Sequence, residues 1–246
     1  MLYAVGFGPG DKAHMTFEAA EVLERADVIV GYKGYTELIS PMYPDKEYVT
    51  TGMRGEIERC EKAVDLAAKG KDVAVICSGD AGVYGMAGLL FEVAEKKGVT
   101  ESVEIRVVAG VTAALSAAAL FGAPLGHDLA LISLSDLMTP WERILKRLTA
   151  AAEADFCIAL YNPSSHTRQE HFTEACGKLL SILSADTLCG IADSVGREGE
   201  RTRIVTLAEL PETEIGMQSI VLIGNSMTRR IGGRLVTPRG YMEKYG

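Results

Sequence analysis

Short runs of β-branched and other apolar residues alternate along this chain with segments whose apolar positions recur every three to four residues. That alternation is the pattern of stacked βαβ units and mainly parallel sheets. Residues 2–6 and 27–31 read as the first two strands. Thr16 is placed to cap the helix between them, which runs through Ala26 with Glu18 and Glu21 near its positive end. Ile57, Cys60, Val64, Ala67 and Ala68 recur at helical spacing, and Gly70 stands where a helix stops. Residues 73–77 form a buried strand that enters a glycine-rich loop, a helix begins near Met86, and 103–108 is a further strand. From Thr112 to Leu120 nearly every residue is small, so backbone or ligand can approach that helix closely.

Phe121-Gly122-Ala123-Pro124-Leu125-Gly126 interrupts the rhythm, after which strands recur at 129–133, 156–161, 188–192 and 219–223, with a helix over about 140–152. The expected fold class is α/β, with two α/β domains at 1–122 and 127–246 joined by a linker at 123–126. Each is about 120 residues, an ordinary domain size.

Composition narrows the function. With 246 residues, 48% apolar and 24% charged, the chain can bury one large core or two smaller ones. Met1 leads straight into Leu2-Tyr3-Ala4-Val5 without a basic leader, and no apolar run approaches the roughly 20 residues of a membrane span. The expectation is a soluble, cytoplasmic protein. Cys60, Cys77, Cys157, Cys176 and Cys189 are widely spaced with no C-x-x-C pair, which points to reduced core thiols rather than disulfides or structural zinc. A net charge of −8 disfavours nonspecific nucleic-acid binding, which needs clustered Lys and Arg. Arg197, Arg201, Arg203, Arg229, Arg230 and Arg239 read as solvated surface, or in part as a rim for carboxylates.

Gly6-x-Gly8-x-Gly10 after the first strand invites a dinucleotide-binding reading. Against it, Pro9 removes an N–H from the cradle, the first helix cap comes only at Thr16, and Gly31-Tyr32 stands where a ribose-binding acid belongs. A tight turn and a ligand loop both remain open. Ser78-Gly79-Asp80-Ala81-Gly82-Val83-Tyr84-Gly85 places pliable backbone and one carboxylate at the end of a buried strand, where open α/β sheets bind ligands. Asp80 is suited to accept from a hydroxyl or amine, or to close an Asx-type turn. His127 and Asp128 are the one His-Asp neighbour pair, an acid–base candidate weighed against a structural role. No nucleophile elbow or Cys-His pair emerges, and His14, His166 and His171 carry no metal-ligand spacing.

Val5-Gly6-Phe7-Gly8-Pro9-Gly10, Gly31-Tyr32-Lys33-Gly34-Tyr35, Thr51-Gly52-Met53, Ser78-Gly79-Asp80-Ala81-Gly82, Pro124-Leu125-Gly126-His127-Asp128, Leu160-Tyr161-Asn162-Pro163 and Thr237-Pro238-Arg239-Gly240-Tyr241 together cover the chain. On them it resembles the class III S-adenosylmethionine methyltransferases, in the branch of precorrin-3B or cobalt-factor III C-17 methyltransferases of cobalamin biosynthesis. The run Ile132-Ser133-Leu134-Ser135-Asp136-Leu137-x-Thr139-Pro140-Trp141 and the closing Thr-Pro-Arg-Gly-Tyr are the branch-specific signals. One departure is Tyr161-Asn162-Pro163-Ser164-Ser165-His166, where an arginine is expected near position 164.

The resemblance implies the tetrapyrrole methylase fold rather than a Rossmann methyltransferase, with an interdomain trough holding S-adenosylmethionine and leaving S-adenosylhomocysteine as product. The donor contacts it implies are Pro9, Ser78, Gly79, Asp80, Val83, Thr112, Ala113, Tyr161 and Ser194. A sulfonium methyl is already activated, so its transfer needs in-line positioning and exclusion of water more than a strong base. The coupled ring contraction does require proton movement, for which Asp11, Asp80, His127 and Ser135 are candidate shuttles or substrate anchors. A tetrapyrrole substrate, a homodimer, no protein-bound metal, no nucleic acid and no membrane complete the expectation. The alternatives are a sibling precorrin C-methyltransferase, a diphthine-synthase-like methyltransferase, a dinucleotide-dependent reductase and a noncatalytic tetrapyrrole binder.

Overall fold

The computed structural model describes residues 1–164 and 169–246. By contacts the chain divides into two compact units, Met1–Ala113 and Ala114–Gly246.

The first unit carries β1 (Leu2–Gly6), α1 (Phe17–Arg25), β2 (Val28–Tyr32), α2 (Lys33–Ile39), β3 (Glu47–Thr51), α3 (Glu56–Ala68), β4 (Val73–Cys77), α4 (Ala87–Lys96) and β5 (Ile105–Val108). Its five strands lie in the order β3-β2-β4-β1-β5, every pairing parallel. β4 stands between β2 and β1, an order different from the 3-2-1-4-5-6 of a dinucleotide-binding sheet. Strands covered on both faces read as continuous apolar runs, as β4 does with all five residues buried. One face packs Val28, Val30, Val73 and Val75 against Cys60, Val64 and Leu90. The other packs Val5, Ile29 and Ile76 against Val22, Leu23 and Ile39. Thr16 caps α1 as expected, accepting from the Ala19 N–H at 3.1 Å, and its hydroxyl donates to the Ala109 carbonyl at 3.2 Å.

Within the second unit run most of α5 (Ala113–Phe121), then β6 (Gly122–Ala123), β7 (Leu129–Ser133), α6 (Trp141–Glu153), β8 (Cys157–Tyr161), α7 (Gln169–Leu180), β9 (Leu188–Asp193), β10 (Arg201–Thr206), β11 (Ser219–Ile223), β12 (Arg229–Ile231), β13 (Arg234–Val236) and α8 (Tyr241–Tyr245). Its main sheet, β10-β9-β11-β8-β7, departs from the expectation of mainly parallel strands: β7 and β8 are parallel, and every other pairing is antiparallel. The cause is local. β9 returns directly as β10 through Ser194–Glu200 instead of through a crossover helix, so the two must run in opposite directions. A small sheet, β12-β13-β6, pairs Leu235 with Gly122 and Val236 with Ala123. The chain break read at 121–126 therefore includes a paired strand, and by contacts the units divide ahead of it, at Ala113.

Candidate active site

β1 and β4 are parallel neighbours with Gly6 opposite Cys77, so the segments that follow them leave the sheet side by side. Gly8 and Gly79 exchange two hydrogen bonds, Gly8 N–H to Gly79 carbonyl at 3.0 Å and the reverse at 2.8 Å. Gly8 has φ of +80°, and a Cβ there would stand 2.4 Å from the His14 carbonyl oxygen. Gly8 of the first motif is thus required by backbone geometry and close approach. Asp80 completes the clasp. Its Oδ1 accepts from Gly82 N–H at 2.8 Å and Val83 N–H at 3.1 Å, and its Oδ2 accepts from Gly110 N–H at 2.9 Å, beyond β5. A Cβ on Gly110 would lie 2.1 Å from the Gly79 carbonyl oxygen.

Three loops are therefore tied by main-chain atoms and one carboxylate, and that carboxylate already serves three backbone donors. The position a Cβ on Gly79 would take lies 3.5 Å from Ala113 N and 3.6 Å from Thr112 Cα. Pro9, Ser78, Gly79, Asp80, Val83, Thr112 and Ala113 accordingly gather at one edge of the first unit. Asp11 lies just outside this clasp, two-thirds exposed. Its Oδ1 accepts from His14 Nδ1 at 2.8 Å and from Ala13 N–H at 3.0 Å. The His14 hydrogen bond holds its carboxyl below the usual carboxylate range, against a smaller opposing push from burial.

Sequence reasoning passed over Arg59. It is buried on α3, where Nε donates to Thr51 Oγ1 at 2.8 Å and Nη2 to the Gly52 carbonyl at 3.2 Å, fixing the Thr51-Gly52-Met53 motif. A lone charge in an otherwise apolar helical stripe was the available signal. Burial pushes the Cys60 thiol up to about 12 and the Cys77 thiol up to about 11, so neither is a nucleophile near neutrality.

In the second unit, parallel β7 and β8 end together with Ser133 opposite Tyr161. The Tyr161 hydroxyl accepts from the Ala114 N–H at 3.0 Å, at the start of α5. Ser133 Oγ accepts from Asn162 Nδ2 at 2.9 Å and from Ser135 N–H at 3.2 Å, so the loops after β7 and β8 are stitched to each other. Ser194 follows β9 with φ of +51°, and its Oγ donates to Gln218 Oε1 at 3.2 Å. It lines a cavity of about 800 Å³ with Arg201, Arg203, Met217 and Gln218. At the cavity wall, buried Asp193 accepts from Arg203 Nη2 at 3.1 Å and from the Ser219 hydroxyl. Arg201 and Arg203, read as solvated surface or in part as a rim for carboxylates, lie on β10 beside Asp193, Arg203 at 3.1 Å and the largely exposed Arg201 at 4.0 Å.

His127 is placed differently. Its Nε2 donates to the Pro238 carbonyl at 2.8 Å, beside a Thr237 Oγ1 bond to the Pro124 carbonyl at 2.6 Å, and Asp128 offers its backbone carbonyl to Cys157 N–H at 2.9 Å. The Pro-Leu-Gly-His-Asp and Thr-Pro-Arg-Gly-Tyr motifs thus clamp each other. His127 precedes β7 and Ser135 follows it, at opposite ends of a five-residue strand that is itself roughly 17 Å long. The structure does not bring these two candidates together, and it supports the structural reading of the His-Asp pair. Ser165 and His166 of the departing motif lie outside the described residues. Among the described residues no group of three or more His, Cys, Asp or Glu could hold a metal ion, and no helix is long and apolar enough to cross a membrane.

The profile of the Tetrapyrrole (Corrin/Porphyrin) Methylases matches residues 1–211. A probable cobalt-factor III C(17)-methyltransferase of Salmonella typhimurium is 48% identical over 98% of this chain and 99% of its own length. A precorrin-3B C(17)-methyltransferase of a Sinorhizobium species is 42% identical over 93% of this chain and 90% of its own. The crystal structure of the methyltransferase CobJ superposes with a TM-score of 0.91 at 39% identity, covering 96% of this chain and 99% of that one. With the family match running from the clasp of the first unit into the second unit, and the relatives matching nearly the whole chain, the chain belongs to the tetrapyrrole (corrin/porphyrin) methylases and is an S-adenosylmethionine-dependent methyltransferase.

Proposed function

We propose that this chain transfers a methyl group from S-adenosylmethionine to C-17 of cobalt-factor III, or of its metal-free counterpart precorrin-3B, with contraction of the ring, in cobalamin biosynthesis. The observation that carries the reading is the 48% identity over essentially the whole length of both chains to a relative named for that reaction.

The residues fit the donor by chemistry. An adenosyl amino acid offers hydroxyls, an amine, a carboxylate and an adenine edge, and backbone amides and carbonyls at strand ends suit these groups. The donor contacts proposed are Pro9, Ser78, Gly79, Asp80, Val83, Thr112 and Ala113 in the first unit, with Tyr161 and Ser194 in the second. Asp80 acts by shaping the loop, since its oxygens already accept three backbone N–H groups. When bound, the donor supplies a methyl on a positively charged sulfur, so the protein's work is alignment and exclusion of water. For the proton movement of ring contraction, Ser135 and Asp11 remain the proposed groups, and His127 is assigned to holding the Thr237-Pro238 segment. A cytoplasmic homodimer without a resident metal completes the reading.

The test is anaerobic incubation with methyl-labelled S-adenosylmethionine and cobalt-factor III, followed by mass and absorbance spectra of the pigment. Gain of one labelled methyl with loss of the porphyrinoid spectrum supports the proposal. No incorporation with either cobalt-factor III or precorrin-3B, while S-adenosylhomocysteine still binds, moves the substrate to a sibling tetrapyrrole.

A further inference from the structure

One cluster in the second unit is not used by the donor contacts. Trp141, the single tryptophan, opens α6, and its indole lies flat on the imidazole of His171 from α7, ring centroids 4.1 Å apart and planes 11° from parallel. The indole Nε1 donates to Glu174 Oε2 at 2.7 Å, one turn further along α7. His171 Nε2 stands 3.9 Å from Asp136 Oδ2, on the loop between β7 and α6. His171 Nδ1 is buried with no hydrogen-bond partner among the described residues, so the ring meets the loop through Nε2. Asp136 from the loop and Glu174 from α7 are the carboxylates on this stack, and α6 presents the indole.

Between Asp136 and Trp141 the loop projects Leu137 and Met138 outward, 68% and 94% exposed. Two successive apolar side chains held in water by a tethered loop are a cost that a ligand removes. The loop springs from Ser133, opposite Tyr161 and bonded to Asn162, so it borders the strand ends assigned to the reaction. A tetrapyrrole offers a broad, flat apolar face, which a methionine and a leucine can follow closely.

We propose that His171, stacked on Trp141 and paired with Asp136, is a positioning residue that fixes this loop so that Leu137 and Met138 cover the face of the tetrapyrrole. The inference rests on the proposed function and deepens it, naming the part of the site that meets the macrocycle rather than the donor.

The test compares the full-length protein with His171→Phe, which keeps a stacked ring but loses Nε2, with Asp136→Asn, and with the double variant. Each single variant is expected to raise KM for the tetrapyrrole about fivefold, with affinity for S-adenosylhomocysteine unchanged. The double variant is expected to be no worse than either single one, because both remove the same link. Leu137→Ser with Met138→Ser should raise the same KM and leave donor affinity intact. Amide exchange across 134–139 should be faster in His171→Phe, and this readout needs no substrate. Unchanged exchange overturns the clamp. Faster exchange with an unchanged KM overturns the contact with substrate. Failure of the wild type to methylate any tetrapyrrole overturns the parent reading instead, and exchange still decides the clamp.

Discussion

The clasp of the first unit and the strand ends of the second solve the same problem with different atoms. In the first, Gly8, Gly79 and Gly110 come together main chain to main chain, and the Asp80 side chain ties Gly110 to them. In the second, the backbone is held by side chains from distant parts of the sequence: Tyr161 to Ala114, Asn162 to Ser133, Arg203 and Ser219 to Asp193, His127 to Pro238. A main-chain clasp has little tolerance for an added atom and is indifferent to most chemistry around it. A side-chain lattice bends where one member is trimmed, and it is correspondingly easy to adapt to a different ligand.

Gly110→Ala should separate these behaviours most widely. With a Cβ 2.1 Å from the Gly79 carbonyl oxygen, the clasp must open, at a cost of about 3 kcal/mol or more in urea unfolding and with loss of S-adenosylhomocysteine binding by calorimetry. A folded variant that still binds the product would break the comparison. Asp80→Ala leaves three backbone donors without their acceptor and should cost about 2–4 kcal/mol. Asp80→Asn, which keeps a carbonyl oxygen, should recover part of that loss. In the second unit, Asp193→Ala should cost less, about 1–3 kcal/mol, because Arg203 keeps its bond to the Glu214 carbonyl. The effect should show chiefly as weaker donor binding, through Ser194.

The smallest change is expected from Asp11→Asn. The folded-state carboxyl of Asp11 is held low by His14, so its stabilising effect is present above the unfolded value near 4 and is lost as pH falls through the lower folded value. The stability difference between wild type and variant, small because the pair is exposed, should be visible at neutral pH and shrink as pH falls below the unfolded value of Asp11. A difference that instead grows on acidification would remove the His14 pairing as its cause.

The same contrast explains what the sequence could disclose. Glycine, proline and aspartate at fixed short spacing carry the clasp, so Gly6 to Gly10 and Ser78 to Gly85 were legible from local rules. The buried strands were legible for a related reason, since β4 and β11 are unbroken apolar runs. β3 and β10 were passed over because Glu47-Tyr48-Val49-Thr50-Thr51 and Arg201-Thr202-Arg203-Ile204-Val205-Thr206 are edge strands with polar faces and no such run. Missing β10 also hid the antiparallel turn of the second sheet and left Arg203 looking like open surface. His171 was dismissed for want of metal-ligand spacing, although its partners, Asp136 and Trp141, lie 35 and 30 positions away and no local pattern joins them.

The clasp also sets a timetable for the newly made chain. Of its three glycines Gly8 leaves the ribosome first, its partner Gly79 follows some 70 residues later, and Gly110, whose amide locks Asp80, comes last. At about 5–20 residues per second, the segment from Gly8 to Gly110 takes about 5–20 s to emerge. Until then the loops after β1 and β4 lack their third tether, and the first unit has no finished clasp.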